Sequence, residues 1–142
     1  MKNILNKKLI ERYSRQIVLK DVGPTGQKKI IKSKVLVVGA GGLGCPVIDY
    51  LSRAGVGNIG VADNDKVNIS NIHRQSLYSC KDIGKYKVNV VKQKIKLINP
   101  KVKIDTFKVR IEKKNIEKIF KDYDFIVDGS DNFKTKFLLN KY

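Results

Sequence analysis

Val35-Leu36-Val37-Val38-Gly39-Ala40-Gly41-Gly42-Leu43-Gly44 decides the fold of this chain. Four apolar residues, three of them β-branched, run between Lys34 and Gly39, the pattern of a strand buried on both faces. Gly39, Gly41 and Gly44 then satisfy G-x-G-x-x-G. After the turn, Val47, Ile48, Leu51 and Ala54 recur at helical spacing up to a stop at Gly55. Strand, glycine turn and helix in this order make an anion site. Glycine allows a tight turn and lets backbone approach a phosphate with no Cβ in the way. The helix N-terminus adds unpaired N–H groups and a partial positive charge. Residues 58–62 read as a second strand ending at Asp63, about 20 residues on, where a carboxylate can accept hydrogen bonds from ribose hydroxyls. The combination points to an adenine nucleotide without saying which, because NAD, FAD, ATP and S-adenosylmethionine sites share it. The Walker lysine motif is absent.

Outward from this core, strands and helices alternate. Towards the N-terminus, Leu9, Ile10, Tyr13 and Ile17 predict one helix over 7–18, broken by Gly23-Pro24, and a short helix over 27–31. Towards the C-terminus, a polar loop covers about 64–83. Val88, Val91, Ile95 and Ile98 mark a helix ending at Asn99-Pro100. Val102, Ile104 and Phe107 predict a third strand, Ile116 to Phe120 a short helix, and Phe125-Ile126-Val127 a fourth strand ending at Asp128. A last helix starts near Phe133. The expected fold is α/β: a Rossmann-like three-layer domain, a mostly parallel sheet with helices on both faces. It is read as one domain over 1–142, N-terminal helices over 1–33 and a βαβ core over 34–142. The last helix has no stop signal before Tyr142, so truncation at the C-terminus is expected, leaving an open sheet edge and an apolar face.

Composition limits the function classes. Lys and Arg number 30 against 13 Asp and Glu, a net charge of +17 in 142 residues. That excess suits polyanions, but the lysines are spread along the chain rather than blocked, and its wealth of Lys, Ile and Asn fits AT-rich coding. No nucleic-acid-binding motif accompanies the charge, so no specific nucleic acid is expected. No apolar run approaches a membrane span, and residues 1–10 lack the core of a signal peptide. A cytoplasmic protein is expected, or one of an organelle's stroma or matrix if organelle-encoded. Cys45 and Cys80 form no CxxC pair, so no zinc is expected and both read as free thiols.

Further motifs narrow the nucleotide. Glu11-Arg12-Tyr13-Ser14-Arg15-Gln16 lies upstream. Asp63-Asn64-Asp65-Lys66-Val67-Asn68-Ile69-Ser70-Asn71-Ile72-His73-Arg74-Gln75 follows the second strand. Gly84-Lys85-Tyr86-Lys87 and Asp128-Gly129-Ser130-Asp131-Asn132 lie downstream. Three of the five arginines fall in these motifs, which drift towards lysine does not explain. R-Y-x-R-Q, G-x-G-G-L-G, D-x-D-x-V-x-x-S-N-I-x-R-Q, a Lys after G-x-x, and D-x-x-D-N resemble the ThiF/MoeB/HesA family, relatives of the ubiquitin-activating enzymes, in order and spacing across almost the whole chain.

The resemblance implies an adenylyltransferase that uses ATP and Mg²⁺ to join AMP to the C-terminal Gly-Gly carboxylate of a ubiquitin-like sulfur-carrier protein of the molybdopterin or thiamine type. It implies that Gly39, Gly41, Gly42 and Gly44 bring backbone to the nucleotide and that Asp63 holds ribose. Ser70, Asn71 and Arg74 would face the phosphates and Lys87 the α-phosphate region. Asp131 would hold Mg²⁺ beside Asn132, and Arg15 would reach a partner's site in a homodimer. Arg74, Lys87, Asp131 and Arg15 are thus the catalytic set. Taken alone, Lys87 reads as a solvated charge and Asp131-Asn132 as a helix N-cap. His73 reads as loop surface, Cys45 as core, Cys80 as a loop thiol, and Tyr13 and Tyr78 as packing. The family's usual second half, with its crossover loop and CxxC pairs, is not in this sequence, so a non-catalytic remnant or half of a split enzyme is an alternative. A NAD-binding oxidoreductase domain explains the glycines and Asp63 but gives Asn71, Arg74, Lys87 and Asp131 nothing to do.

Overall fold

A computed structural model describes residues 4–142. Four parallel strands, β1 (Lys34–Val38), β2 (Asn58–Ala62), β3 (Lys103–Phe107) and β4 (Phe125–Asp128), form one sheet in the order β3-β2-β1-β4. β1 is central: Val38 pairs with Ala62 on one side and with Asp128 on the other. The chain winds from β1 through β2 to β3, then crosses back to place β4 on the far side of β1. The winding direction therefore reverses at β1, and the carboxyl ends of β1 and β4 open the crevice where such sheets bind ligands.

Helices cover both faces. Alternate residues of β1 and β2 (Val35, Val37, Ile59, Val61) pack against α4 (Gly44–Ala54) and α5 (Lys87–Ile98) through Cys45, Ile48, Val88, Val91 and Ile95. The opposite parity (Leu36, Val38, Ala62) meets Ile111, α6 (Ile116–Phe120) and α7 (Phe133–Lys141) through Ile116, Ile119 and Leu138. This period of two on a doubly covered sheet is the physical meaning of the unbroken Val35–Val38 run.

The N-terminal segment departs from expectation. Instead of one helix over 7–18 there are two, α1 (Lys7–Arg12) and α2 (Ser14–Ile17), broken at Tyr13, where φ is −103° and ψ 14°. The break turns the Tyr13 ring inward against Gly55, which has no room for a Cβ there, and lets Asn99 Nδ2 donate to Tyr13 Oη at 2.9 Å. Gln16 Nε2 donates to Ala54 O at 3.1 Å and to Gln27 Oε1, and buried Gln27 donates to the same carbonyl at 3.0 Å. Much of R-Y-x-R-Q is thus spent tying the N-terminal helices to the end of α4. Gly23-Pro24 opens a helix rather than only breaking one: α3 spans Gly23–Lys32, with proline in its first turn, where a missing N–H costs nothing.

Candidate active site

The glycine turn is built by exclusion. Gly39 has φ +92°, and a Cβ there would lie 2.7 Å from Gly129 O; a Cβ on Gly44 would collide with Gly39 O. Gly44 is buried beneath the turn, so it permits the site without lining it. Gly39, Gly41 and Gly42 do line a cleft of about 540 Å³ at the carboxyl ends of β1 and β4.

Asp63, at the end of β2, reaches back under the turn. Its Oδ2 accepts from Ala40 N at 2.8 Å and its Oδ1 from Asp65 N at 2.8 Å. Each oxygen keeps a lone pair able to accept a further hydrogen bond.

The loop after Asp63 folds into two 3₁₀ turns, Ile69–Asn71 and Cys80–Asp82, each closed by a capping box. The first brings Asn71 and Arg74 to the cleft. Ser70 stays outside it. Its carbonyl accepts from Arg74 Nη1 at 2.8 Å while its hydroxyl donates to Asn68 Oδ1 at 3.2 Å, so Ser70 steers Arg74 through backbone. His73, exposed, has Nε2 2.9 Å from the same guanidinium nitrogen.

Lys87 opens α5 and is not a solvated charge. Its side chain is 6% exposed and its Nζ lies 3.3 Å from Asp65 Oδ2. Asp65 also accepts the Lys87 backbone N–H at 3.0 Å. The ion pair therefore holds the ammonium group at the cleft wall, and the backbone bond to the Asp65 carbonyl anchors the residue that carries it.

After β4, Asp128 Oδ1 accepts from Ser130 N at 2.9 Å and Ser130 Oγ at 2.6 Å, which bends the chain so that Ser130, Asp131 and Asn132 line the cleft. Asn132 is the N-cap of α7, its Oδ1 accepting from Thr135 N at 2.9 Å. Asp131 is exposed and joins none of the ion pairs among the described residues. Arg15, on α2, is exposed and does not line this cleft.

The cleft thus collects three carboxylates (Asp63, Asp65, Asp131), three cations (Arg74, Lys87, Arg110) and the N-terminal ends of α4 and α7. Sequence reasoning passed over Asp65, Gln75, Ser130, Arg110 and Ile111 as site residues. The first three stand inside quoted motifs. Arg110 and Ile111 follow β3 with no motif around them and enter the cleft only through the sheet order. Gln75 is buried, and its Oε1 has no hydrogen-bond partner among the described residues.

The ThiF family profile matches residues 13–142. The chain belongs to the ThiF family. This ThiF-family chain is 46% identical over 134 residues to a sulfur carrier protein adenylyltransferase of Thermus thermophilus, covering 94% of itself and 49% of that protein. It is 42% identical over 136 residues to a probable adenylyltransferase/sulfurtransferase MoeZ of Mycobacterium tuberculosis, covering 96% of itself and 35% of that protein. Among solved structures, E. coli MccB with AMPCPP and MccA matches with a TM-score of 0.83 at 30% identity, over 92% of this chain and 41% of that one. The ThiF-family chain therefore spans about a third to a half of the length of these relatives. The Thermus and Mycobacterium relatives are named adenylyltransferases, and the four parallel strands with helices on both faces are the Rossmann-like fold expected from the sequence.

Proposed function

We propose that the chain is the nucleotide-binding part of an ATP-dependent adenylyltransferase that activates the C-terminal Gly-Gly carboxylate of a ubiquitin-like sulfur-carrier protein, of the molybdopterin or thiamine type. The observation that carries this reading is the convergence of Asn71, Arg74, Lys87 and Asp131 with the glycine turn on one cleft. A dinucleotide site would need the turn and Asp63, but not a wall with an arginine fork and a buried lysine.

The chemistry asks little covalent work of the protein. A carboxylate oxygen of the carrier attacks the α-phosphorus, the bond from that phosphorus to the α,β-bridging oxygen breaks, and pyrophosphate leaves with the electron pair. Positioning and charge stabilisation carry such a step. Asp63 accepts from the ribose hydroxyls. Backbone N–H groups of the turn and the start of α4 face the phosphates. Arg74 offers a planar fork of donors to phosphate oxygens and Lys87 a point charge.

Among the described residues no cluster of three or more His, Cys, Asp or Glu forms a protein-only metal cage. Mg²⁺ does not need one, since it binds through one or two carboxylates, phosphate oxygens and water. Asp131, an exposed carboxylate at the cleft, fits that role. When bound, the ion neutralises charge on the phosphates. Arg15, exposed and outside the lining of its own cleft, fits a homodimer in which each copy completes the other's phosphate site.

The test is ATP–pyrophosphate exchange with Mg²⁺ and small carriers ending in Gly-Gly. Carrier-dependent exchange is expected, falling about 100-fold or more in Arg74→Ala and Asp131→Ala, the scale of losing one transition-state contact. A folded chain that binds Mg-ATP but gives no exchange with any carrier sinks activity of this chain on its own and leaves a non-catalytic remnant or half of a split enzyme.

A further inference from the structure

The Ala40 peptide, in the middle of the glycine turn, is clamped from beneath by side chains outside the phosphate-facing set. Tyr78 Oη donates to Ala40 O at 2.7 Å, and Cys45 Sγ donates to the same oxygen at 3.4 Å. Ala40 N donates to Asp63 Oδ2, and Gly41 O accepts from Cys45 N at 2.9 Å. Tyr78, Cys45 and Ala40 are all buried in the core cluster shared with α4 and α5. No cis peptide occurs among the described residues, so the Gly41 N–H points opposite to the Ala40 carbonyl. With that carbonyl drawn inward, the N–H faces out to the cleft that Gly41 lines. No backbone carbonyl among the described residues accepts the N–H of Gly41 or Gly42.

We infer that Tyr78 is a positioning residue for nucleotide binding: its hydroxyl fixes the Ala40–Gly41 peptide plane, holding the Gly41 N–H towards the phosphates before nucleotide arrives. The inference rests on the nucleotide reading above and adds to it a residue that the sequence presents only as packing. Without the hydroxyl, the Ala40 carbonyl keeps only the long, weak Cys45 thiol donor in otherwise apolar surroundings, and a poorly satisfied acceptor there is unfavourable. Rotation of the peptide relieves this and turns a carbonyl oxygen, instead of a donor, towards the phosphates. Burial pushes the phenol of Tyr78 and the thiol of Cys45 to higher pKa, so both remain protonated donors at neutral pH.

Tyr78→Phe keeps the ring and removes the donor. Expected are Mg-ATP binding weakened about tenfold, as for one lost hydrogen bond, adenosine binding changed less than about twofold, and a nearly unchanged unfolding midpoint. Unchanged Mg-ATP binding, or equal weakening of ATP and adenosine, overturns the role. A second measurement needs no variant: in the unsubstituted protein, free of nucleotide, the Gly41 amide exchanges quickly with solvent and becomes protected by Mg-ATP. Slow exchange in the free protein means the N–H points inward and overturns the inference. An unsubstituted protein that binds neither Mg-ATP nor adenosine overturns the nucleotide reading itself. Normal binding with an unaffected Phe variant overturns only Tyr78.

Discussion

Gly42 and Gly44 stand two residues apart in one turn and serve different ends. A Cβ on Gly44 runs into the Gly39 carbonyl oxygen, backbone that cannot yield without opening the turn. A Cβ on Gly42 meets only the Arg74 side chain, at an ordinary 3.6 Å. Gly44→Ala is therefore expected to destabilise the fold by about 3 kcal/mol or more, at the upper end of overpacking costs, measured by urea unfolding. Gly42→Ala should leave the stability within about 0.5 kcal/mol, as for an accommodated substitution, yet, on the proposed nucleotide reading, weaken Mg-ATP binding, because the methyl enters the cleft that Gly42 lines. If both variants lose stability alike, the division between a scaffolding and a ligand-facing glycine is wrong. Lys87 gives the complementary case. From sequence it is one lysine among many; in the fold it is buried against Asp65, a residue whose value lies in its alternate place beside Asp63.

At the scale of elements, the loop from Asp63 to Tyr86 connects the cleft-lining carboxylate of Asp63 to Lys87. Its second 3₁₀ turn is held by Asp82, which accepts from Ser79 N at 2.9 Å and Ser79 Oγ at 2.7 Å and lies 3.7 Å from Lys94 Nζ on α5. Burial pushes the Asp82 carboxyl up, but the hydrogen bonds from Ser79 and Lys85 and the charge of Lys94 outweigh it, leaving the pKa below the ordinary aspartate value. A carboxyl depressed on folding stabilises the native state above its unfolded pKa, and that contribution is lost as pH falls through the folded one. Asp82→Asn should then cost about 1 kcal/mol at pH 7, for weakened charge-assisted bonds, and the gap from the unsubstituted protein should close in acid, below about pH 4. A gap that persists unchanged at pH 3 would mean the amide disturbs packing rather than charge. Much of this architecture was legible in the sequence: the strands, α4, α5 and the cleft-lining Gly39, Gly41, Gly42, Asp63, Asn71, Arg74, Lys87, Asp131 and Asn132 lie in runs with local signals. What was not legible depends on distant partners. The break at Tyr13 answers to Asn99 and Gly55, the clamp by Tyr78 to Ala40, and the entry of Arg110 and Ile111 to the sheet order. No local window contains both ends of such contacts.

For the whole molecule, the two sheet edges differ in a way that charge holds in check. β3 carries Lys103 and Asp105, the charged residues that discourage strand addition. β4 reads Phe-Ile-Val-Asp, with Phe125 exposed, and among the described residues it is paired only with β1. On α7, Phe133 and Phe137 stand 77% and 73% exposed with ring centroids 6.4 Å apart. Each ring brings on the order of 150–250 Å² of apolar area, enough for a pair to approach the patch size that marks a contact surface. A net charge of +17 opposes association of copies across any such face. Salt separates the two effects, because the screening length falls from about 10 Å at 0.1 M to about 3 Å at 1 M while apolar burial is not weakened. Sedimentation velocity should accordingly show self-association that grows with sodium chloride. The double variant Phe133→Ser, Phe137→Ser should abolish that growth without touching the cleft, which neither ring lines. Association that instead declines with salt would place ionic contacts in control, and association unchanged in the double variant would move the contact surface off α7.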